Sequence, residues 1–552
     1  MNAAQPGETR RSFLVQLAGI TLGTFLLPFP RSAETKQVAD WCSTDLQMPQ
    51  LLELVGTPTW LLCKGEEDGD GDYPGLLFFV SGQGAQFIYA REAGRDSDDY
   101  RELRRFYEST LNPGCPQIDP HTIFPIRRTP EELACIRNRM LHQDSWDPIF
   151  AYANYLKSQG DELGDYIEAD ALTLSMSGDD PRWDEMCQRE FTMRDRMHRR
   201  LLEPLGALGI WPTVGTMFAP TMWLNFGIVE TAVVNVHGIL PDRIDWLFQA
   251  APGLSELTID FDDWDLPAII SRPQMSQIVE LTFGHGLDRH VTAADMAAIS
   301  QSKTLGRLRS LNLSFNKIEA GLDSLSDSAL LGQLEVLNLQ SCAIPPEAQS
   351  KFFASRRTGK LTSLNMKGNG VTAEALEQFP PGDWSSLATL ELGDSEFGLA
   401  GLQHVLATDL EALTALELDQ CKLDDAAFQL LADWPGLAQL ERLNVSNNPI
   451  TDEGLGALAK SGKLANLQTL NISHLPCSGD AIASLLELEE LQDLSELTCF
   501  TCYGAKIDSD SAARIARSAA LKNLETFTIG DVEEPGKQML IDEFDDRISF
   551  VT

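Results

Sequence analysis

Positive charge is scarce in this sequence. Its 43 lysines and arginines stand against 81 aspartates and glutamates, a formal net charge of −38 at pH 7. So acidic a surface repels phosphate backbones and anionic headgroups, which argues against nucleic acid and anionic membrane as partners. Long apolar runs are scarce too. The stretch from Val15 to Leu27 falls short of the roughly 20 residues that a membrane-crossing helix needs. The signatures of chemistry are missing: no glycine loop to cradle phosphate, no nucleophile elbow, no His-Glu-x-x-His. Ser81-Gly-Gln-Gly84 is a turn between strands, not a dinucleotide fingerprint. Glu66-Glu-Asp-Gly-Asp-Gly-Asp72 is acidic, but Tyr73 stands where a calcium loop needs glycine and Phe79 where it needs glutamate, so it reads as a hairpin turn. His285, Asp288 and His290 share one loop and are equally well explained as loop residues; His404 and His474 stand alone. No catalytic residue, metal site or cofactor is assigned, and the chain is read as non-enzymatic.

What the chain has is repetition. From Leu254 to Ile529 one template recurs eleven times: apolar, two others, apolar, one other, apolar. The clearest copies are Leu308/Leu311/Leu313 with Asn316 and Ile318, and Leu440/Leu443/Val445 with Asn448 and Ile450. Between them lie Leu334/Leu337/Leu339/Cys342, Leu361/Leu364/Met366/Asn369, Leu387/Leu390/Leu392/Ser395 and Leu413/Leu416/Leu418/Cys421. Weaker copies start at Leu254, Ile278, Leu467, Leu494 and Leu524. The alternation is that of a strand. A lone strand cannot bury its apolar side, but strands stacked copy on copy can. The Asn or Cys that follows sits where the chain turns inward; Asn can satisfy buried backbone groups and Cys fills space. In Ile450-Thr-Asp-Glu-Gly-Leu455 the apolar spacing lengthens to that of a helix, which Thr451 or Asp452 can cap.

These units resemble leucine-rich repeats with a helix on the convex side, of the ribonuclease-inhibitor-like and cysteine-containing kinds. The resemblance covers about half of the chain. It implies an α/β solenoid: a parallel sheet lining a concave face, helices behind it. The residue between the second and third apolar positions would face outward. It reads Thr258, Thr282, Asn312, Asn338, Asn365, Glu391, Glu417, Asn444, Asn471, Thr498 and Thr528. That row is either a surface for a protein or peptide partner or a solubilising ladder between neighbouring strands. Near it, Phe261, Phe315, Arg309, Arg442 and Phe500 are the only residues suited to anchor an interface.

The N-terminal part divides in three. Residues 1–33 open with Arg10, Arg11, Phe13 and Leu14 ahead of the short apolar run, which resembles a twin-arginine export signal. The resemblance implies a periplasmic or envelope protein; if uncleaved, the segment would be its only tie to a membrane. The other reading is a cytoplasmic leader. Residues 34–125 suggest a small α+β domain with strands at Thr59–Cys63, Gly75–Val80 and Gln86–Tyr89. Residues 126–225 carry helix signals: Thr129-Pro-Glu-Glu132 as a capping box, Asp147-Pro148 and Asp180-Pro181 as helix starts. The run Ala151-Tyr-Ala-Asn-Tyr-Leu156, then Gly160-Asp161 and Asp165-Tyr-Ile-Glu168, resembles the repeat-companion domain of planctomycete proteins. Asn154 and Tyr155 depart from its Asp-Trp, and the family implies no catalytic role. A helical block there would cover the open end of a solenoid formed by 226–532, with 533–552 as a cap or tail at the other end.

Of ten cysteines, Cys342, Cys421 and Cys502 are three repeats apart, too far for disulfides, and are expected to be core thiols. Three functions fit this layout. The first is a monomeric recognition scaffold that holds a protein partner on the concave face. The second is an exported enzyme with its chemistry in 34–125 and the repeats selecting substrate. The third is a cytoplasmic repeat scaffold.

Overall fold

The computed structural model describes residues 128–142, 145–177, 180–206, 222–234, 244–259, 265–284, 290–379, 383–499 and 507–551, with the strands 25–28, 59–64, 75–81 and 84–91. Arg10, Arg11, Phe13 and Leu14, the Glu66–Asp72 turn, His285, Asp288, Phe261, Phe500 and Cys502 lie outside the described residues. The chain forms two compact units, Met1–Ile278 and Val279–Thr552.

In the second unit the expected α/β solenoid is present. Each repeat turns its alternation into a short strand, such as Ser310–Asn312, Val336–Asn338 or Arg442–Asn444. Neighbouring strands run parallel and in step. Leu337 lies opposite Leu311 on one side and Leu364 on the other. The leucine row continues through Leu390, Leu416, Leu443 and Leu470 to Leu497. Parallel strands need a long crossover, and the returning segments provide it with helices such as Pro346–Phe353, Asp425–Asp433 and Asp452–Ala459. The inward leucines are fully buried: Leu308, Leu311 and Leu313 are at 0% exposure, as are Leu334, Leu337 and Leu339. Each contributes about 1.5–3 kcal/mol relative to an exposed position.

Two columns of residues make the turns. The first is left-handed: Phe315, Ser341, Gly368, Asp394, Gln420, Asn447 and His474 all have φ between +53° and +73°. The sharp turn into the core requires this, and only Gly368 adopts it without a steric cost. The second column follows directly. Asn448 is 2% exposed. Its Nδ2 donates to Leu418 O and Val445 O, both at 2.9 Å, and its Oδ1 accepts from Cys421 N and Leu423 N, both at 3.0 Å. Asn369 bonds the repeat before it in the same way, through Leu339 O at 2.7 Å and Cys342 N at 2.9 Å. Where cysteine holds this column it does more than fill space. Cys342 Sγ donates to Leu313 O at 2.9 Å and Cys421 Sγ to Leu392 O at 3.4 Å, so each still ties its repeat to the previous one.

The helices are stitched from repeat to repeat as well. Side chains of Thr292, Thr372, Asp424, Thr451, Ser478 and Asp508 each accept a backbone N–H at a helix start. Asp425 accepts from Thr451 N at 2.8 Å and Gly454 N at 3.0 Å, one repeat on, and Asp452 accepts from Ser478 N at 2.6 Å. Beyond the template, helix Glu534–Phe544 leads to strand Ile548–Val551, which pairs parallel with Thr526–Gly530. The segment read as a cap or tail thus adds one more strand to the sheet.

In the first unit the strands at Thr59–Lys64, Gly75–Ser81 and Gly84–Arg91 form an antiparallel meander, with Phe25–Pro28 as a fourth strand beside Thr59–Lys64. The helices are Pro130–Leu141, Asp147–Ser158, Leu163–Ser175 and Trp183–Gly206. Thr129 caps the first through Glu132 N at 3.0 Å. Glu132 does not close the expected box; its carboxylate instead takes Arg128 Nη1 and, at 3.3 Å, the Tyr152 hydroxyl. Helix Leu163–Ser175 carries no local start signal in the sequence. It packs closely on its predecessor because Gly164 has no side chain: a Cβ there would stand 2.4 Å from Ala153 O. The helical core, with Ile136, Tyr152, Ile167 and Met197, continues into Phe226 and Ile228. Ile228–Val234 in turn runs parallel to Glu256–Ile259, the strand of the first repeat copy.

Candidate functional site

The outward face of the strands is built from three columns: the residue before the central leucine, the residue after it, and the one two further on. The middle column holds the row singled out in the sequence, and the strand register sets its members side by side: Asn312, Asn338, Asn365, Glu391, Glu417, Asn444 and Asn471. The row is less open than expected. Asn365 is 8% exposed and the rest are half-buried. Five of the asparagines are turned back on their own chain. The Oδ1 atoms of Asn312, Asn338, Asn365, Asn444 and Asn471 accept the N–H two residues on, at 2.9–3.1 Å. This is the local turn that short polar side chains make, and it ends each strand. These asparagines therefore shape the face more than they offer it.

Glu391 and Glu417 break the row, and a different arrangement gathers around them. Asn365 Nδ2 donates to Glu391 Oε2 at 2.5 Å. On the other side Asn444 lies beside Glu417 in the strand register and counters part of the rise in its pKa. The next column, two residues on, reads Lys367, Gly393, Asp419. Lys367 Nζ reaches Asp419 Oδ2 at 2.9 Å across the intervening repeat. Two strand spacings, roughly 10 Å, separate their backbones. Gly393 makes the crossing possible, since a Cβ there would lie 2.2 Å from Asp419 Oδ1. Asp419 is 4% exposed, and its Oδ1 has no hydrogen-bond partner.

Charge is unbalanced in this group. Burial pushes the Glu391 carboxyl above its ordinary range, with Asp419 adding to the shift and Lys367 and Arg442 opposing it. Burial does the same to Glu417, reinforced by Glu391 and Asp419. Burial pulls the Lys367 ammonium down, but the bond to Asp419 and the two glutamates more than offset this and leave it raised. Three carboxylates thus share one lysine, with Arg442 nearby. Such a group attracts positive charge.

The other expected anchors fit less well together. Arg309 pairs with Glu335 of the next repeat at 3.5 Å, and Phe315 is 44% exposed at the strand end. His474, read as isolated, feels Asp531; burial lowers its pKa and that carboxylate opposes the change. The thiols point away from this face. Cys342 and Cys421 are free and buried, and burial raises both, Cys342 to about 12, so neither is a nucleophile near neutral pH. Among the described residues no three His, Cys, Asp or Glu side chains are placed to hold a metal ion. None of the described helices is long and apolar enough to cross a membrane. The sequence could not single out Asp419 or Gly393, because they matter only through a contact between residues 26 positions apart.

Residues 439–459 match a family model described as "Leucine Rich repeat". The chain is similar to leucine-rich repeat-containing protein 14 of mouse, 31% identical over 156 residues, which is 28% of this chain and 26% of that protein. The frog protein of the same name is 30% identical over 159 residues. The chain thus spans about a quarter of the length of the curated relatives it matches. Among solved structures, an internalin from Listeria monocytogenes superposes with a TM-score of 0.36 at 17% identity, covering 58% of this chain and 85% of that one. A complex of Rad7 and Elc1 from yeast gives 0.34 at 12%, covering 54% and 80%.

Proposed function

We propose that this leucine-rich-repeat protein is a non-enzymatic recognition scaffold that holds a protein partner against the outward face of its strands. The supporting observation is the strict register of that face. From Ser310 to Asn471 seven strands present the same three columns with no slip. A face so regular offers an extended set of polar contacts. Val336, Thr389 and Thr469 sit on it with outward side chains that the core does not use. Changing Val336→Arg together with Thr469→Arg is expected to abolish capture of the partner in crosslinking from the native source while the fold, read by circular dichroism, is kept. Undiminished capture removes the strand face as the binding surface.

Location is part of the same reading. The Arg10-Arg11-x-Phe13-Leu14 opening supports export of the folded chain by the twin-arginine route. The helices between Pro130 and Gly206 are read as a companion domain that covers the start of the strand array; their shared core with Phe226 and Ile228 supports this. The protein is read as a monomer.

A further inference from the structure

We propose that Glu391, Glu417 and Asp419 form a receptor for one cationic side chain of the partner, a guanidinium or ammonium group, and that Lys367 covers this receptor until the partner displaces it. The proposal rests on the recognition reading above and names the chemistry of its central contact.

Four observations carry it. First, Asp419 is nearly all buried and has one oxygen bonded and one not: Oδ2 takes Lys367, while Oδ1 has no partner. A buried carboxylate oxygen without a donor is costly to the fold, so a ligand that supplies the donor gains from relieving it. Second, the sequence has gone out of its way to admit this carboxylate. Gly393 removes the side chain that would otherwise stand in the Oδ1 position. Third, the two glutamates beside it come from the two repeats of the Asn312–Asn471 row in which asparagine is replaced. Their carboxylates are therefore an addition to the turn-forming pattern, and Asn365 holds Glu391 in place. Fourth, the one covering group is the kind that can leave. Lys367 is about one-third exposed, with a flexible stem and a single bond to its carboxylate. The ammonium can swing to solvent on that stem, and a partner cation that takes its place spares the buried Asp419 carboxylate the cost of standing uncompensated. A partner's guanidinium would then meet three carboxylates, with donors enough for Oδ1 and Oδ2 together. The carboxylates do not converge as a metal site, since no such group of three is found among the described residues. An organic cation, larger and with several donors, suits their spread.

The test uses the full-length protein and two capped pentapeptides, Gly-Gly-Arg-Gly-Gly and its citrulline counterpart, which has the same shape and no charge. Binding is read by calorimetry or by chemical-shift change. The arginine peptide is expected to bind and the citrulline peptide not. Lys367→Ala removes the cover and is expected to tighten binding several-fold. Asp419→Asn is expected to weaken it at least tenfold. A merely structural ion pair predicts that both substitutions act in the same direction, and that result overturns the proposal. Equal binding of the two peptides also overturns it, as does competition by calcium chloride at matched ionic strength. Glu441→Gln with Glu525→Gln, acidic residues on the strand-start edge, should leave binding unchanged; an equal loss there means that the peptide senses only the net charge. Should Asp419→Asn not fold, Glu417→Gln gives the same readout with the ion pair intact. The two readings fail separately. Peptide binding that depends on Asp419, with no partner lost on Val336→Arg/Thr469→Arg, leaves the receptor and removes the scaffold. Partner capture lost in that variant but kept in Asp419→Asn does the reverse.

Discussion

Single side chains decide how one repeat meets the next. Asn448 satisfies two N–H and two C=O groups that have no water to turn to. Asn444, four residues earlier, accepts one N–H at the strand end, half-exposed. Asn448→Ala should therefore cost at least about 3 kcal/mol, several unpaired buried groups, while Asn444→Ala costs about 1. Urea denaturation of the two variants compares them directly, and equal losses would refute the distinction. A second residue-scale expectation concerns pH. Glu391 and Glu417 hold their protons more tightly folded than the ordinary value of 4.5 for a free glutamate. The folded state then binds more protons than the unfolded chain. Stability from these groups is full below about pH 4.5 and is lost as pH rises through their raised folded values. At neutral pH the ionised pair is a burden. Glu417→Gln should be at least as stable as the native chain at pH 7, and the difference should close as pH falls towards 4.5. A variant weaker at pH 7 than the native protein would show that the carboxylate stabilises the fold.

At the scale of elements, each strand of the repeats is too short to stand alone and each return helix too short to persist in water. Stacking holds them, and the stacking has its own fastenings. Asp425 on one helix accepts from the backbone and hydroxyl of Thr451 at the start of the next, and Thr451 in turn caps its own helix. Asp425→Ala should loosen helix Asp452–Ala459 at its first turn, at a cost of about 1–2 kcal/mol. Hydrogen exchange should then rise at Glu453 and Gly454 and stay unchanged at Leu443 in the strand. Uniform protection across the repeat would contradict this. These fastenings are partly legible: Thr-Asp-Glu ahead of an apolar helical spacing offers Thr451 or Asp452 as the cap, and Thr451 is the one that serves. That Asp452 serves the next helix, through Ser478, is not legible, because a cap acting across 26 residues leaves no local pattern.

For the whole molecule, export is the expectation to test first. Replacing Arg10 and Arg11 by lysine keeps the charge and removes the paired guanidinium groups; it should leave the protein in the cytoplasm. Fractionation with an antibody decides the matter, and an unchanged location would count against export. Legibility was uneven across the chain. Repeats are readable because a period of about 26 residues writes the same burial eleven times, so each copy corroborates the others. The helical unit was readable at its starts, where Thr129, Pro130, Asp147 and Pro148 leave strong local marks. Helix Leu163–Ser175 was not, since its main signal, Gly164, reports a close approach between helices rather than a turn.

The sequence by itself determined the stack: strand alternation, inward leucines, turning asparagines and capped return helices follow from a period that only one architecture satisfies. It determined the acidity as well. Which acids matter was decided only by the tertiary structure. In a chain with so many carboxylates, Glu391, Glu417 and Asp419 look like any others until the strand register lays them side by side. Lys367 can cross to Asp419 only because parallel strands place a glycine between them, a relation of distance in space that no local reading of the chain contains.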